Sequence, residues 1–303
     1  MKCAFLKQMI LSFIFIAVQA CERPIIVVIP SYNNTQWCQN NLKSVFGQKY
    51  DNFLVIYIDD CSTDDTYDRV KQMVNEYNFQ DRIILIHNNQ RRGAMENLYN
   101  AIVACDDRAI VATIDGDDWL ASSDVLSRLN REYENPAVWM TWGQYAEYPT
   151  GEIGFSRAFT EREISLAIYR EREMPVSHLR TFYAGLFKKI NPDDMKKNGQ
   201  FYSMAWDKAM MGPMLEMCAG RFKFISDVLY IYNNFNPLND HRINMDLQHG
   251  LAYEIFAKPK YKQLQRVNFL TKEYLNVFDC CKLSCLQSTF THDCTISYCR
   301  SLI

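Results

Sequence analysis

The sequence predicts an α/β fold, a mostly parallel sheet flanked by helices, on three observations. Short β-branched runs such as Ile25-Ile26-Val27-Val28-Ile29 alternate with stretches whose apolar residues recur at helical spacing. The runs are apolar throughout rather than at every second residue, as strands covered on both faces require. Each run ends in a polar loop, so the alternation gathers those loops on one edge of the sheet, where open α/β sheets place their ligands.

The elements follow in order. Residues 25–29 form the first strand, stopped by Pro30-Ser31-Tyr32-Asn33-Asn34, and residues 36–46 the first helix. The strand at 53–58 ends in Asp59-Asp60-Cys61-Ser62-Thr63-Asp64-Asp65, whose Ser, Thr and Asp residues suit the N-cap of a helix over 66–77. A strand at 83–86, a helix at 93–104 and a strand at 109–114 come next, then a helix at 123–134 and a strand at 138–142. Residues 145–199 are patterned more loosely, with a charged helix over 161–172 and an apolar run over 179–190. They read as an acceptor-side subdomain laid on the sheet. A helix at 205–218 and two strands, 222–225 and 228–232, lead to a polar helical stretch and a cysteine-rich end. The organisation expected is a leader at 1–20, one α/β half at 21–144, a second half of the same domain at 145–240, and a tail at 241–303.

Composition narrows the function. With 303 residues, 48% hydrophobic, the chain can bury a sizeable core. A net charge of -2 shows no polybasic signature, which argues against nucleic acid as the main partner. Lys2 and Lys7 precede an apolar run from Met9 to Val18, and Val18-Gln19-Ala20 offers a small-residue cleavage site. That is the layout of a secretory signal, too short to span a bilayer comfortably. A short N-terminal anchor with membrane association, or a lipoprotein site at Cys21, are the other readings. The expected location is the secretory pathway or an exported, membrane-associated state. Five of the eleven cysteines crowd 280–299, as a disulfide-stapled appendage would.

The stretch around which the chemistry gathers is Ile114-Asp115-Gly116-Asp117-Asp118-Trp119, where an apolar strand delivers three carboxylates within four residues. Closely spaced carboxylates on a turn suit a hard divalent cation that also carries phosphate oxygens.

Taken together, Val28-Ile29-Pro30-Ser31-Tyr32-Asn33, Tyr57-Ile58-Asp59-Asp60, Asp115-Gly116-Asp117-Asp118 and Trp206-Asp207 resemble the ordered motifs of a family 2 glycosyltransferase of the GT-A fold, over about residues 25–236. The resemblance implies a metal-dependent, inverting transfer of a sugar from a nucleoside diphosphate sugar, a UDP-sugar first, to a glycan, lipid or protein hydroxyl. It places Pro30, Ser31 and Tyr32 over the nucleoside and Asp60 as acceptor of the uracil N3–H, a donor that suits a carboxylate. An arginine of Arg91-Arg92-Gly93, Arg92 in the first instance, would neutralise diphosphate, although Glu96 stands where the family often has an arginine before the asparagine, here Asn97. Asp117 and Asp118, with Asp115 in support, would hold Mn2+ or Mg2+ and contact the sugar-ribose. His241, in Asn236-Pro237-Leu238-Asn239-Asp240-His241, is either a third ligand or part of a capped loop. Asp207 is the implied general base, and a helix-start aspartate favoured by the dipole is the competing reading. Ser177-His178-Leu179-Arg180-Thr181 falls on the acceptor side and reads as solvated or locally paired.

Two other classes share parts of this pattern. A nucleotidyltransferase or a dinucleotide oxidoreductase normally shows a glycine-rich loop after the first strand, and Pro30-Ser31-Tyr32-Asn33-Asn34 has no glycine. A secreted binding protein that kept the sheet and lost turnover would not be expected to keep every candidate carboxylate.

Overall fold

The computed structural model describes residues 22–170, 174–270 and 294–297, without the side chains of 240, 241 and 294–297. The leader expected at 1–20 and nearly all of the cysteine-rich tail lie outside the described residues. The four strands read first are present: β1 (Ile25–Ser31), β2 (Phe53–Asp59), β3 (Ile83–Asn88) and β4 (Ile110–Thr113). β1 pairs in parallel with β2 on one side and β4 on the other, and β3 continues beyond β2. Every residue of β1, β2 and β4 is buried, which is why the sequence shows continuous rather than alternating apolar runs. The intervening helices α1 (Cys38–Phe46), α2 (Thr66–Glu76) and α3 (Ala94–Val103) each turn an apolar stripe inward, for example Leu42 and Val45 of α1.

The second half of the chain continues the same sheet. After β5 (Trp119–Leu120) and α4 (Val125–Tyr133), β6 (Met140–Tyr148) returns to it. α5 (Glu161–Ser165) then precedes β7 (Arg180–Tyr183), which lies antiparallel between β4 and β6. α6 (Ala184–Phe187), the hairpin β8 (Lys196–Lys197) and β9 (Gln200–Phe201), and α7 (Trp206–Cys218) lead to β10 (Phe222–Asn233), parallel to β6. α8 (Asp240–Ala257) follows, and β11 (Cys294–Ser297) pairs antiparallel with β3. The sheet order is β11-β3-β2-β1-β4-β7-β6-β10-β5. Among the described residues no helix is long and apolar enough to cross a membrane.

Three elements differ from expectation. The strand expected at 138–142 is β6, which runs on to Tyr148. The strands expected at 222–225 and 228–232 are the single strand β10, whose register against β6 shifts between Ile225 and Val228. Ser226-Asp227 is a bulge inside a strand, which interrupts the apolar run without ending the pairing. The charged helix expected over 161–172 ends at Ser165. Thr160 and Glu163 close a capping box at its start. Ala167 then takes a φ of 50°, and the chain leaves the helix so that Arg170 can be buried.

Arg170 forms a buried pair with Glu216 of α7, Nε to Oε1 at 2.7 Å. Its Nη1 donates to the Ile255 carbonyl, its Nη2 to the Pro259 carbonyl, and the Tyr261 N–H donates to Glu216 Oε2. One ion pair therefore joins the post-α5 segment, α7, the end of α8 and the chain beyond it. A buried charge stripped of its partner typically costs about 3–5 kcal/mol, whereas replacing both partners by apolar side chains is often neutral. Glu216→Gln is accordingly expected to destabilise the fold by about 3 kcal/mol or more in urea unfolding. The double change Arg170→Met/Glu216→Leu should recover most of that loss, and failure to recover would show that the pair does more than satisfy itself.

Candidate functional site

The cleft opens where the chain order reverses across β1, with β2 and β3 to one side and β4 to the other, the switch point at which such sheets bind ligands. Backbone bonds fasten the loops there. The Asp60 N–H donates to the Ser31 carbonyl at 2.8 Å and the Gly116 N–H to the Pro30 carbonyl at 3.1 Å. Gly116 is where the acidic turn meets the first loop: a Cβ there would stand 2.5 Å from Ser31 Oγ and 2.8 Å from Asn34 Nδ2. Only glycine allows that approach. The first and second loops are joined by Asn33 N–H to Ser62 Oγ, Thr63 N–H to Asn33 Oδ1 and Asn34 N–H to Thr66 Oγ1.

Pro30, Ser31, Tyr32 and Asp60 line one part of a cleft of about 380 Å³. Three protein donors already hold Asp60: the Asn88 amide and the Arg92 N–H on Oδ1, and the Gly93 N–H on Oδ2 at 2.8 Å. Gly93, at φ 87°, supplies a backbone turn that presents these two N–H groups together. Arg92 departs from expectation. Its side chain turns to Glu96, Nη1 to Oε1 at 2.9 Å, as an i,i+4 pair on α3, and does not line the cleft. Arg91 does, with its guanidinium 3.6 Å from the centre of the Tyr32 ring.

The acidic turn is held from two sides. The buried Asn41 amide of α1 donates to the carbonyls of Asp115 and Asp118, at 3.0 and 2.7 Å. From β10, the Tyr230 hydroxyl donates to Asp118 Oδ2 and the Asn233 N–H to Asp118 Oδ1, both at 2.7 Å. Burial, followed by the charges of Asp117 and Asp115, holds the Asp118 carboxyl well above the usual carboxylate range. Asp117 is pushed up to about 6, by burial first and then by Asp115. Its Oδ2 accepts from the Asn236 amide at 2.6 Å.

A third donor arrives from a distant part of the chain. His178, just before β7, stacks on Tyr230 with ring centres 4.5 Å apart, and its Nε2 lies 3.3 Å from Asp115 Oδ2. Burial, then the Arg180 charge, holds its pKa below the ordinary value, so the imidazole is neutral at pH 7. One ligand atom each from Asp115, Asp118 and His178 lies within 4.8 Å of the others. Two carboxylates and a neutral imidazole are a donor set that Mn2+ accepts readily and Mg2+ less so. Of the residues expected to hold a metal, Asp118 is in this group. Asp117 faces Asn236, and the side chain of His241 lies outside the described residues.

Asp207 sits in the first turn of α7 and lines the same cleft, as do Trp206 and Lys208. Burial pushes its carboxyl up, but the cations of Lys208 and Arg180 outweigh burial, and it sits below the usual carboxylate range. It is ionised and free to accept a proton. Arg180 Nη2 stands 3.6 Å from Asp207 Oδ2 and Lys208 Nζ 4.0 Å. His178, just before β7, and Arg180, its first residue, both line the cleft, one toward the acidic turn and the other toward Asp207. The sequence leaves both as solvated or locally paired, because no spacing signal links them to residues so far along the chain.

Comparison with known proteins gives the family and the fold. The model of glycosyl transferase family 2 matches residues 26–193, more than half of the chain. The chain belongs to that family. It is 29% identical over 119 residues to WfaP of Escherichia coli, a UDP-Glc:alpha-D-GlcNAc-diphosphoundecaprenol beta-1,3-glucosyltransferase, a match covering 39% of this chain and 45% of WfaP. It is 21% identical over 217 residues to the glycosyltransferase GlyG of Streptococcus pneumoniae, covering 68% of this chain and 69% of GlyG. The chain thus spans less than half of WfaP. Among solved structures, S. aureus TarS 1-349 in complex with UDP-GlcNAc superposes with a TM-score of 0.57 at 18% identity, covering 77% of this chain and 64% of that one, which establishes the shared GT-A fold.

The raised carboxyls predict how the metal-free protein responds to pH. An aspartate whose folded pKa is above its unfolded one binds more protons when folded, so its contribution falls as pH rises from about 4 to about 6. His178, depressed in the folded state, acts in the opposite sense as pH falls below 6.5. The informative comparison is therefore wild type against Asp117→Asn, both in EDTA. The variant should gain melting temperature relative to wild type between pH 5 and pH 7, and an equal difference at both values would contradict the assignment.

Proposed function

We propose that the protein is a metal-dependent, inverting glycosyltransferase that moves a sugar from a nucleoside diphosphate sugar to an acceptor hydroxyl. The observation that carries this reading is that an ionised carboxylate, Asp207, and the Asp115, Asp118 and His178 group line one cleft at the switch point of the sheet. The acceptor oxygen attacks C1 of the sugar in line with the departing diphosphate, and Asp207 takes the proton that the hydroxyl gives up. The bond from C1 to the diphosphate oxygen breaks as the new one forms, and the diphosphate leaves with the electron pair. A Mn2+ or Mg2+ held by Asp115, Asp118 and His178 would offset the charge that gathers on that leaving group.

The remaining cleft residues suit the donor's other end. Tyr32 and Arg91 present a flat face for a nucleobase, and Asp60, with Arg92 and Gly93 N–H groups fixing it, offers its carboxylate nearby. WfaP, by its name a UDP-Glc-dependent enzyme, supports uridine as the nucleoside. With a leader-like segment at 1–20, the enzyme would act in the secretory pathway or at a membrane, on a glycan, lipid or protein acceptor.

A general base contributes about 10²- to 10⁴-fold to rate. Asp207→Asn should therefore lower turnover of a UDP-sugar by at least about 10²-fold while UDP affinity in Mn2+ stays within a few-fold of wild type. Retained turnover would remove Asp207 from the base role, and loss of UDP binding in the same variant would make it a binding residue instead.

A further inference from the structure

Arg180 is the residue whose state the reading above leaves unexplained. It lies on β7, only 4% exposed, and lines the cleft beside Asp207. Burying a guanidinium is costly unless its charge is paired and its N–H groups are bonded. Neither condition is met in full. Nη2 is 3.6 Å from Asp207 Oδ2, beyond good hydrogen-bond length, and Nε and Nη1 are buried with no hydrogen-bond partner among the described residues. The Trp206 ring, 5.2 Å below, supports the cation without accepting a hydrogen bond in the plane of the guanidinium.

Charge counting points the same way. Asp207 faces two cations, Arg180 at 3.6 Å and Lys208 at 4.0 Å, so this part of the cleft carries an excess positive charge. The acidic turn, where three carboxyls crowd within four residues, calls for a divalent cation and not an anion. An anion is therefore missing near Asp207 rather than near the turn.

We propose that Arg180 binds an anionic group, a phosphate or carboxylate, carried by the acceptor beside the hydroxyl that reacts. A planar guanidinium with unpartnered N–H donors matches two oxygens of such a group, a geometry that lysine does not reproduce. The source is assigned to the acceptor because Nη2 already leans toward Asp207, so an anion on the remaining donors adjoins the hydroxyl whose proton Asp207 takes. This inference rests on the reading of Asp207 as the base. It makes Arg180 a specificity-determining residue: acidic acceptors are selected and neutral ones are bound weakly.

The test uses the full chain and inorganic phosphate as the probe. Phosphate is titrated calorimetrically into protein already saturated with UDP and Mn2+, for wild type, Arg180→Gln and Arg180→Lys. Phosphate should bind alongside UDP, and Arg180→Gln should weaken it about 10- to 100-fold, the range expected for hydrogen bonds to a charged group. UDP affinity should stay unchanged. Arg180→Lys, which keeps the buried charge and loses the fork, should fall in between, and it serves as the folded control if the glutamine variant misfolds. Exclusion of phosphate by UDP would assign the anion to the donor's diphosphate and overturn the proposal. So would a phosphate affinity indifferent to both substitutions. Should UDP itself fail to bind, the functional reading falls, and the anion site is judged on phosphate alone: sensitivity to Arg180→Gln keeps it, and insensitivity removes it.

Discussion

A carboxylate with almost no exposure to solvent, Asp118, is the constraint on which the cleft depends. An ionisable group so placed must be partnered, and its partners come from β10: the Tyr230 hydroxyl and the Asn233 N–H. Those two bonds bring the end of the second half of the chain onto the turn that ends β4. They also place the surface on which His178 stacks, so the third donor is positioned by the residue that satisfies the first. From the other side, Asn41 ties the turn to α1, and Gly116 lets it touch the first loop. The acidic turn is thus clamped by α1, β1 and β10 before any ligand arrives, as a preorganised electrostatic site requires.

The loop after β10 belongs to the same assembly. Asn233 donates its amide to the Asp117 carbonyl, Asn236 donates to the Asp117 carboxylate, and Asn239 donates to the Asn233 carbonyl. A run of asparagines, each able to donate and accept, couples the start of α8 to the acidic turn.

What was legible in the sequence follows from how far each signal had to reach. β1, β2, β3 and β4 were plain because strands covered on both faces demand unbroken apolar runs, a local property. Asp115 to Asp118 and Asp207 were legible because loop position after a strand, or at a helix start, is itself local information. The bulge at Ser226-Asp227 was read as a break because a bulge leaves the same mark as a turn. Helix α5 stopped early because the buried pairing of Arg170 with Glu216, 46 residues away, outweighs local helix propensity. His178 and Arg180 were seen but not assigned: their partners are Asp115, Tyr230 and Asp207, and only the sheet order brings those together. The exchange of Arg91 for Arg92 at the cleft is a matter of which side of the turn before α3 each residue faces, which the i,i+4 pairing of Arg92 with Glu96 decides.

The central claim is that Asp115, Asp118 and His178 hold a divalent cation that a nucleoside diphosphate joins. Its most direct test is Mn2+ binding followed by the loss of the free-ion paramagnetic resonance signal, with and without UDP, in wild type, His178→Ala and Asp115→Asn/Asp118→Asn. The account predicts one Mn2+ per chain, bound more tightly with UDP, weakened by loss of His178 and abolished by loss of both carboxylates. A well-folded wild type that takes up no Mn2+ even with UDP present, or a double variant that binds it as well as wild type does, would contradict it.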